Sequence, residues 1–210
     1  MVKLAAEMPG TVTDITSEER ILAAARNVFL RKGMMGTRMQ EVADEAGINK
    51  ALLHYYFRNK QQLFEQVFCV CGKHGMQGVW SQLMEERPLF DNIRAFVAAF
   101  HEAMEREPLF PQFLMSELQR DPKHLLKLVD LGKGARQHFA QQLEQAHERR
   151  EIIAIKPQQL IVNMLALCQF PLLASPIIKH VGSMDQKAFN AFMHERSTLV
   201  AELIIRSIRN

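Results

Sequence analysis

A chain of 210 residues with 48% hydrophobic and 23% charged residues is long enough to bury a core unaided and too apolar to be disordered. Ten Gly and eight Pro argue against collagen-like and low-complexity classes, and three Cys argue against a disulfide framework and for a reducing, cytoplasmic setting. The net charge of +3 is too mild to name a partner, but Ala46 to Phe64 carries Lys50, Arg58 and Lys60 and no acid.

Met1 to Ile15 does not read as a signal peptide, because Glu7 and Pro9 interrupt its short apolar run. Helix signals then follow one another, with no strand-like alternation and no Asn-Gly or Asp-Gly hairpin. Thr16-Ser-Glu-Glu19 is a capping box, and Ile21, Leu22, Ala25, Val28 and Phe29 form the stripe of the helix it opens. Gly33 is expected to end that helix as a left-handed cap. Thr37-Arg-Met-Gln40 reads as a second box, opening a short helix through Val42, Ala43 and Ala46 that Gly47 stops. Asn49 caps a third helix from Lys50 to about Tyr56, and Asn59 a fourth through Leu63, Phe64, Val67 and Phe68. Gly72, Gly75 and Gly78 weaken the fourth helix by about 1 kcal/mol each relative to Ala.

The later elements lengthen. Asp91 opens a helix to about Arg106, and a short one carries Phe113, Leu114 and Leu118. Asp121-Pro122 opens another that is expected to run to about Arg149. Pro157 starts the next, which Pro171 and Pro176 kink or end, and Asp185 caps the last. The prediction is an all-α fold of about nine helices. The stretch from Pro157 to Ile178 carries no charge, but its prolines and amides fit a core or interface helix better than a membrane span. No membrane partner is expected.

Function concentrates in the short helices. A helix of about eight residues, a Gly47 turn and a second short helix form a helix-turn-helix pattern over 38–57. In that arrangement the first helix braces across the DNA backbone, and the second enters the major groove. Ile48, Leu53 and Phe57 fall on an inward face, with Lys50, Ala51, His54 and Tyr55 on the outward one. Lys reaches phosphate or guanine, His and Tyr donate to phosphates or bases, and Ala51 permits close approach.

Residues 16 to 64 resemble the DNA-binding domain of TetR-family transcriptional regulators. The residues that carry the resemblance are Thr16, Ile21, Ala24-Ala25, Phe29, Gly33, Thr37, Val42-Ala43, Ala46-Gly47-Ile48, Leu53, Tyr56-Phe57, Lys60 and Leu63. The chain departs from the family's usual choices at Arg38, Asn49, Ala51 and His54, which bears on the operator sequence rather than on the fold. The resemblance implies a DNA-binding domain over 15–75 and a helical effector-binding and dimerisation domain over 76–210. It maps DNA contacts onto Thr37, Arg38, Gln40, Asn49, Lys50, Ala51, Leu52, His54, Tyr55, Tyr56 and Lys60. It also implies a cavity for a small apolar or amphipathic effector in the body. Phe100, His101, Phe113, Phe139, Met164, Cys168 and Gln169 are the candidate lining.

A dimer interface follows from an apolar surplus. Leu160, Ile161, Met164, Leu165, Leu167 and Cys168, and then Phe189, Phe192, Met193, Leu199, Val200, Leu203 and Ile204, cover more of two helices than single faces need. Leu160, Ile161, Met164, Leu165, Phe192, Leu199, Val200 and Leu203 are the candidate contacts of a homodimer on a palindromic double-stranded operator. The expected function is a ligand-responsive repressor. The alternatives are an activator, a thiol sensor using Cys69, Cys71 or Cys168, or a helical enzyme or carrier without a DNA role. No Ser-His-Asp set, paired-carboxylate spacing or phosphate-cradling Gly loop appears in the sequence, so no catalytic residue and no cofactor are expected. Cys69, Cys71 and His74 fall short of the four ligands of a closed zinc site, so no metal is expected either.

Overall fold

The computed structural model describes residues 16–210, except for the side chains of Cys71, Lys73, His74, His124, Leu125, Lys127, Leu128 and Val129. The readings of Met1–Ile15 and of the Cys71–His74 pair lie outside the described residues. The described chain is all-α, and its only β feature is an isolated antiparallel bridge between Ile152 and Arg209. Eleven helices follow in order. They are α1 Ser17–Gly36, α2 Met39–Ala46, α3 Lys50–Tyr56, α4 Lys60–Ser81, α5 Leu89–Arg106, α6 Phe110–Arg120, α7 Pro122–Leu131, α8 Lys133–Glu148, α9 Pro157–Leu173, α10 Ser175–Val181 and α11 Gln186–Ile208.

Four helices start where local chemistry predicts. The Thr16 hydroxyl accepts from Glu19 N at 3.2 Å while the Glu19 carboxylate accepts from Thr16 N at 2.8 Å. Asn49, Asn59 and Asp185 each accept, through the side chain, the amide three residues on, at 2.8, 2.8 and 2.7 Å. Each bond satisfies a donor that the helix itself leaves orphaned.

The second predicted box is different. Gly33 adopts φ 65° and ψ 175°, a region essentially reserved for glycine, and α1 continues past this kink for one more short stretch. The chain therefore reaches Thr37 turned inward. Its hydroxyl donates back to the Gly33 carbonyl at 2.8 Å, and Arg38 occupies the cap position of α2, its amide donating to the Glu41 carboxylate at 3.0 Å. Gly47 does close α2 in the left-handed conformation, φ 66° and ψ 35°.

The count of nine becomes eleven for two physical reasons. The long helix expected from Asp121 breaks at Gly132, where a Cβ would stand 2.6 Å from the Trp80 indole. Only glycine lets the chain pass there. The helix from Pro157 runs through Pro171 and breaks at Ala174, and Pro176 lies in the first turn of α10. α9 and α10 together have the length and apolar composition of a span but bend by 71°, and no single described helix is long and apolar enough to cross a membrane.

The three N-terminal helices and the first half of α4 share a core of Ile21, Val28, Phe29, Val42, Ala43, Leu53, Phe57, Leu63 and Phe64. Phe29 meets Phe64 edge-on at 5.1 Å between ring centres, and Phe64 in turn meets Phe113 of α6 at 5.7 Å. Burying each such ring is worth about 2–3 kcal/mol. The expected boundary at residue 75 thus falls inside α4, one helix common to both parts. α6 adds a second link: buried Glu117 pairs with Arg120 at 2.6 Å, and the Arg120 guanidinium lies over the Phe64 ring at 5.4 Å.

In the body, α5 packs between α4, α8, α9 and α11. Fully buried Asn92 ties α5 to its surroundings: its amide nitrogen donates to Glu85 O and to Gln142 Oε1, both at 2.9 Å, and its oxygen accepts from Arg87 at 3.0 Å. A buried amide needs such partners to be tolerated.

Candidate nucleic-acid interface

α3 is a short helix held by its inner face. Leu53 and Phe57 are buried, and Ile48 packs against the same core. Their spacing leaves Lys50, Ala51, His54 and Tyr55 exposed together on the other side. Tyr55 is 81% exposed, so its ring contributes nothing to this core and stands only against Tyr56, edge-on at 5.4 Å. The His54 ring nitrogen Nδ1 lies 3.3 Å from the Arg58 carbonyl, which steadies the imidazole at the end of α3. Leu52 is partly exposed beside them.

The remaining candidate contacts divide by how much of each side chain is free. Asn49 spends its oxygen on the α3 cap. Gln40 is exposed and donates to Asp44 at 2.8 Å. The Arg38 side chain is exposed at the start of α2. Neighbouring Glu41 accepts from Lys32 at 2.7 Å, and its carboxyl is held below the ordinary range by that bond and by the Arg38 amide. Thr37 is only 2% exposed, with its hydroxyl committed to Gly33, so it offers a neighbour backbone rather than side chain. Lys60 is half-buried, and its ammonium donates to the Thr37 carbonyl at 2.9 Å. It therefore ties the start of α4 to the α1–α2 turn. Arg58 is exposed in the same acid-free stretch and was not among the predicted contacts. Its signal was simply its charge between two helices.

The predicted effector residues are gathered in the core. Phe100, Phe113, Phe139, Met164 and Cys168 are buried members of one apolar cluster, and Gln169 is half-buried. His101 is buried with Nε2 lacking a hydrogen-bond partner; burial first, then the charge of Arg196, pushes its pKa down to about 4. Burial pushes the Cys168 thiol up to about 12, which leaves no thiolate to react near neutrality. A cavity of about 870 Å³ lies elsewhere, between α1, α4, α5 and the start of α6, and none of these residues is among its described lining. Sequence reasoning placed the aromatics correctly on inward faces. It could not tell packed interior from open volume.

The predicted dimer residues also divide. Leu160, Ile161, Met164 and Val200 are buried within the chain's own core, because α9 and α11 pack on α5 as well as on each other. Leu165 and Phe192 are half-buried. Leu199 and Leu203 are 60% and 53% exposed on α11, and Val162 and Phe170 of α9, which were not singled out, are 58% and 64% exposed. Among the described residues no group of three or more His, Cys, Asp or Glu is placed to hold a metal ion.

Residues 21–67 match the family model described as bacterial regulatory proteins, tetR family. The chain is 31% identical over 88 residues to the HTH-type transcriptional activator FasR of Mycolicibacterium smegmatis, covering 42% of this chain and 40% of that protein. It is 28% identical over 88 residues to the HTH-type transcriptional regulator YhgD of Bacillus subtilis, covering 42% of this chain and 46% of that protein. The matched region thus spans less than half the length of these relatives. The fold resembles that of the TetR family transcriptional regulator PfmR from Thermus thermophilus, with a TM-score of 0.67 at 20% identity over 89% of this chain and 97% of that one.

Proposed function

We propose that this chain, whose N-terminal domain belongs to the tetR family of bacterial regulatory proteins, is a DNA-binding transcriptional regulator that acts as a homodimer on a near-palindromic operator. The observation that carries this reading is α3: Lys50, Ala51, His54 and Tyr55 stand exposed on one side while Leu53 and Phe57 anchor the other. Such a helix enters the major groove with its first residues at base edges. Lys50, in its first turn, reaches a guanine edge or a phosphate, and Ala51 lets the backbone come close. Tyr55 and His54 lie a turn further on, where donors meet phosphates or bases. Arg38 and Gln40, at the start of α2, face the strand that α2 crosses.

The homodimer reading rests on exposed Val162, Phe170, Leu199 and Leu203, apolar side chains on two helices of one chain. A second copy supplies their cover, and its two-fold axis sets two recognition helices one turn of B-DNA apart, about 34–36 Å. Repression is the simplest mode, since a bound dimer need only occupy its operator. An effector that binds two arrangements of the recognition helices unequally releases it. Work on the chromosome places the protein in the cytoplasm.

The test is selection from a pool of random-sequence duplexes. Recovery of an inverted repeat with half-site centres about 10 base pairs apart, bound at least about a thousand-fold more tightly than unselected DNA, is the expected result. Failure to enrich any sequence removes the reading. A reporter carrying the selected site then reads the sign: falling output on expression of the protein is repression, and rising output is the activation recorded in the name of the mycobacterial relative.

A further inference from the structure

We propose that His54 reads the operator as a hydrogen-bond acceptor: its Nε2 takes a hydrogen bond from the exocyclic amino group of an adenine or a cytosine in the major groove, and the Arg58 carbonyl fixes the imidazole in that role. This role rests on the DNA-binding function proposed above and makes His54 a base-specifying residue within it.

The tautomer follows from one contact. A neutral imidazole carries its proton on one ring nitrogen and a lone pair on the other, and the bond made by the first decides the state of the second. His54 Nδ1 lies 3.3 Å from the Arg58 carbonyl oxygen. A carbonyl can only accept, so Nδ1 holds the proton. Nε2, across the ring, is left with the lone pair.

The carbonyl that sets this choice is itself held in place. Phe57, before Arg58, is 1% exposed in the core. Asn59, after it, caps α4 by accepting from Gln62 N at 2.8 Å. That cap withdraws the amide four residues beyond Arg58, which a continuous helix would aim at the Arg58 carbonyl. The oxygen is thereby left to the imidazole.

The lone pair is placed for use outside the chain. His54 is exposed on the face of α3 that carries Lys50, Ala51 and Tyr55. On that face Lys50 can only donate, Ala51 is apolar, and the Tyr55 hydroxyl turns to give or to take. His54 presents a nitrogen that accepts and cannot donate.

DNA narrows the choice of partner. Phosphate oxygens are acceptors, so they offer a lone pair nothing. In the major groove guanine shows the acceptors N7 and O6, and thymine shows O4 and a methyl group. The donors there are adenine N6 and cytosine N4. Histidine can in general donate to a phosphate, but this one has spent its proton within its own chain.

Two measurements test the role. The first takes nitrogen-15 spectra of the histidine-labelled full-length protein at pH 8, where histidine is ordinarily neutral. His54→Phe identifies the His54 signals. A proton on Nδ1 and none on Nε2 is the expected state, and a proton on Nε2 overturns the proposal. The second uses the selected duplex with purine in place of each adenine in turn, and pyrimidin-2-one in place of each cytosine, so that one amino group is removed at a time. At one base pair of each half-site the replacement is expected to weaken the wild type at least about 5-fold, and His54→Phe less than about 2-fold, at an unchanged thermal midpoint. The cycle cancels any change in the duplex itself. A wild type indifferent to every replacement, or a His54→Phe that suffers the same penalty, overturns the acceptor role while the DNA reading stands. Equal weakening of selected and unselected duplexes in His54→Phe overturns it too, because that is the mark of a phosphate contact. Failure to enrich any duplex is the failure of the DNA reading itself, and this role falls with it.

Discussion

The three N-terminal helices and the α9–α11 face use the same kind of residue to different ends. Around α3 the anchoring residues Leu53 and Phe57 are buried, and the outward side is Lys50, Ala51, His54 and Tyr55, with Leu52 partly exposed beside them. On α9 and α11 the inward positions are equally well buried, at Leu160, Met164, Val200 and Ile204, yet Val162, Phe170, Leu199 and Leu203 remain exposed. The first unit completes its core within one chain and shows solvent a polar, cationic face. The second completes its core and still shows an apolar one. A side chain's polarity therefore says whether it is to be covered, and only the fold says by what.

The strongest way to break this contrast is to charge each layer of the α11 face in turn. Leu203→Glu puts a carboxylate where half the side chain is already in solvent, so the monomer is expected to keep its helicity and thermal midpoint. A stable homodimer interface of this type buries about 2,000 Å² or more, and a charge at its centre is expected to dissociate it. Val200→Glu, three residues away and 1% exposed, is expected instead to cost at least about 4 kcal/mol and unfold the chain. Sedimentation at micromolar concentration with circular dichroism separates the two. A dimeric Leu203→Glu, or a wild type that sediments as a monomer, removes the second copy from the account.

The same contrast explains what could be read from the sequence. Helix caps were legible because their chemistry closes within three residues: Thr16, Asn49, Asn59 and Asp185 act as their spacing says. Thr37 misled because Gly33, four residues earlier, turns it into the interior. The break at Gly132 was not legible because what requires a glycine there, the Trp80 ring against its Cα, lies far away in sequence. Apolar surplus marked two helices that keep exposed apolar residues, Leu199 and Leu203 among them, but periodicity could not say that Leu160, Ile161, Met164 and Val200 are covered by the chain's own core. Phe100, Phe113 and Phe139 were legible as interior, whereas open volume arises where small residues of α4 and α5 happen to face α1.

A smaller effect sharpens the comparison from the interior of the body. His101 sits in the α5 core with its pKa lowered by burial to about 4, against an ordinary value near 6.5. Between those values the unfolded chain binds a proton that the folded chain refuses. Stability is therefore full above about pH 6.5 and falls as the pH drops towards 4, by on the order of 1–2 kcal/mol after allowance for solvent screening. Thermal midpoints at pH 7.5 and 5 measure it. His101→Phe is expected to lose less on acidification than the wild type, while changes in the three-helix unit leave the pH response as it is. An equal loss in His101→Phe would assign the acid sensitivity to other groups.

The smallest effect tests the cationic face itself, by asking which lysine meets DNA through its charge. Lys50 is exposed in the first turn of α3, and nothing in that turn is acidic. Lys60 is half-buried, and its ammonium is held by the Thr37 carbonyl at 2.9 Å. A lysine that neutralises a phosphate releases counterions, and its removal lowers the salt slope of log affinity by about one. We expect Lys50→Ala to show that loss of slope at an unchanged thermal midpoint if its contact is to phosphate. A contact to guanine instead costs about 1–3 kcal/mol on the selected duplex alone. Lys60→Ala is expected to lower the thermal midpoint, because the bond joining α4 to the α1–α2 turn is lost, and to weaken all duplexes alike through a looser mounting of α2 and α3. Its salt slope is expected to stay near the wild-type value. Binding curves at two salt concentrations beside melting curves decide it: a full unit of slope lost in Lys60→Ala with no change in melting would move Lys60 from the frame of the three-helix unit onto its DNA-facing surface.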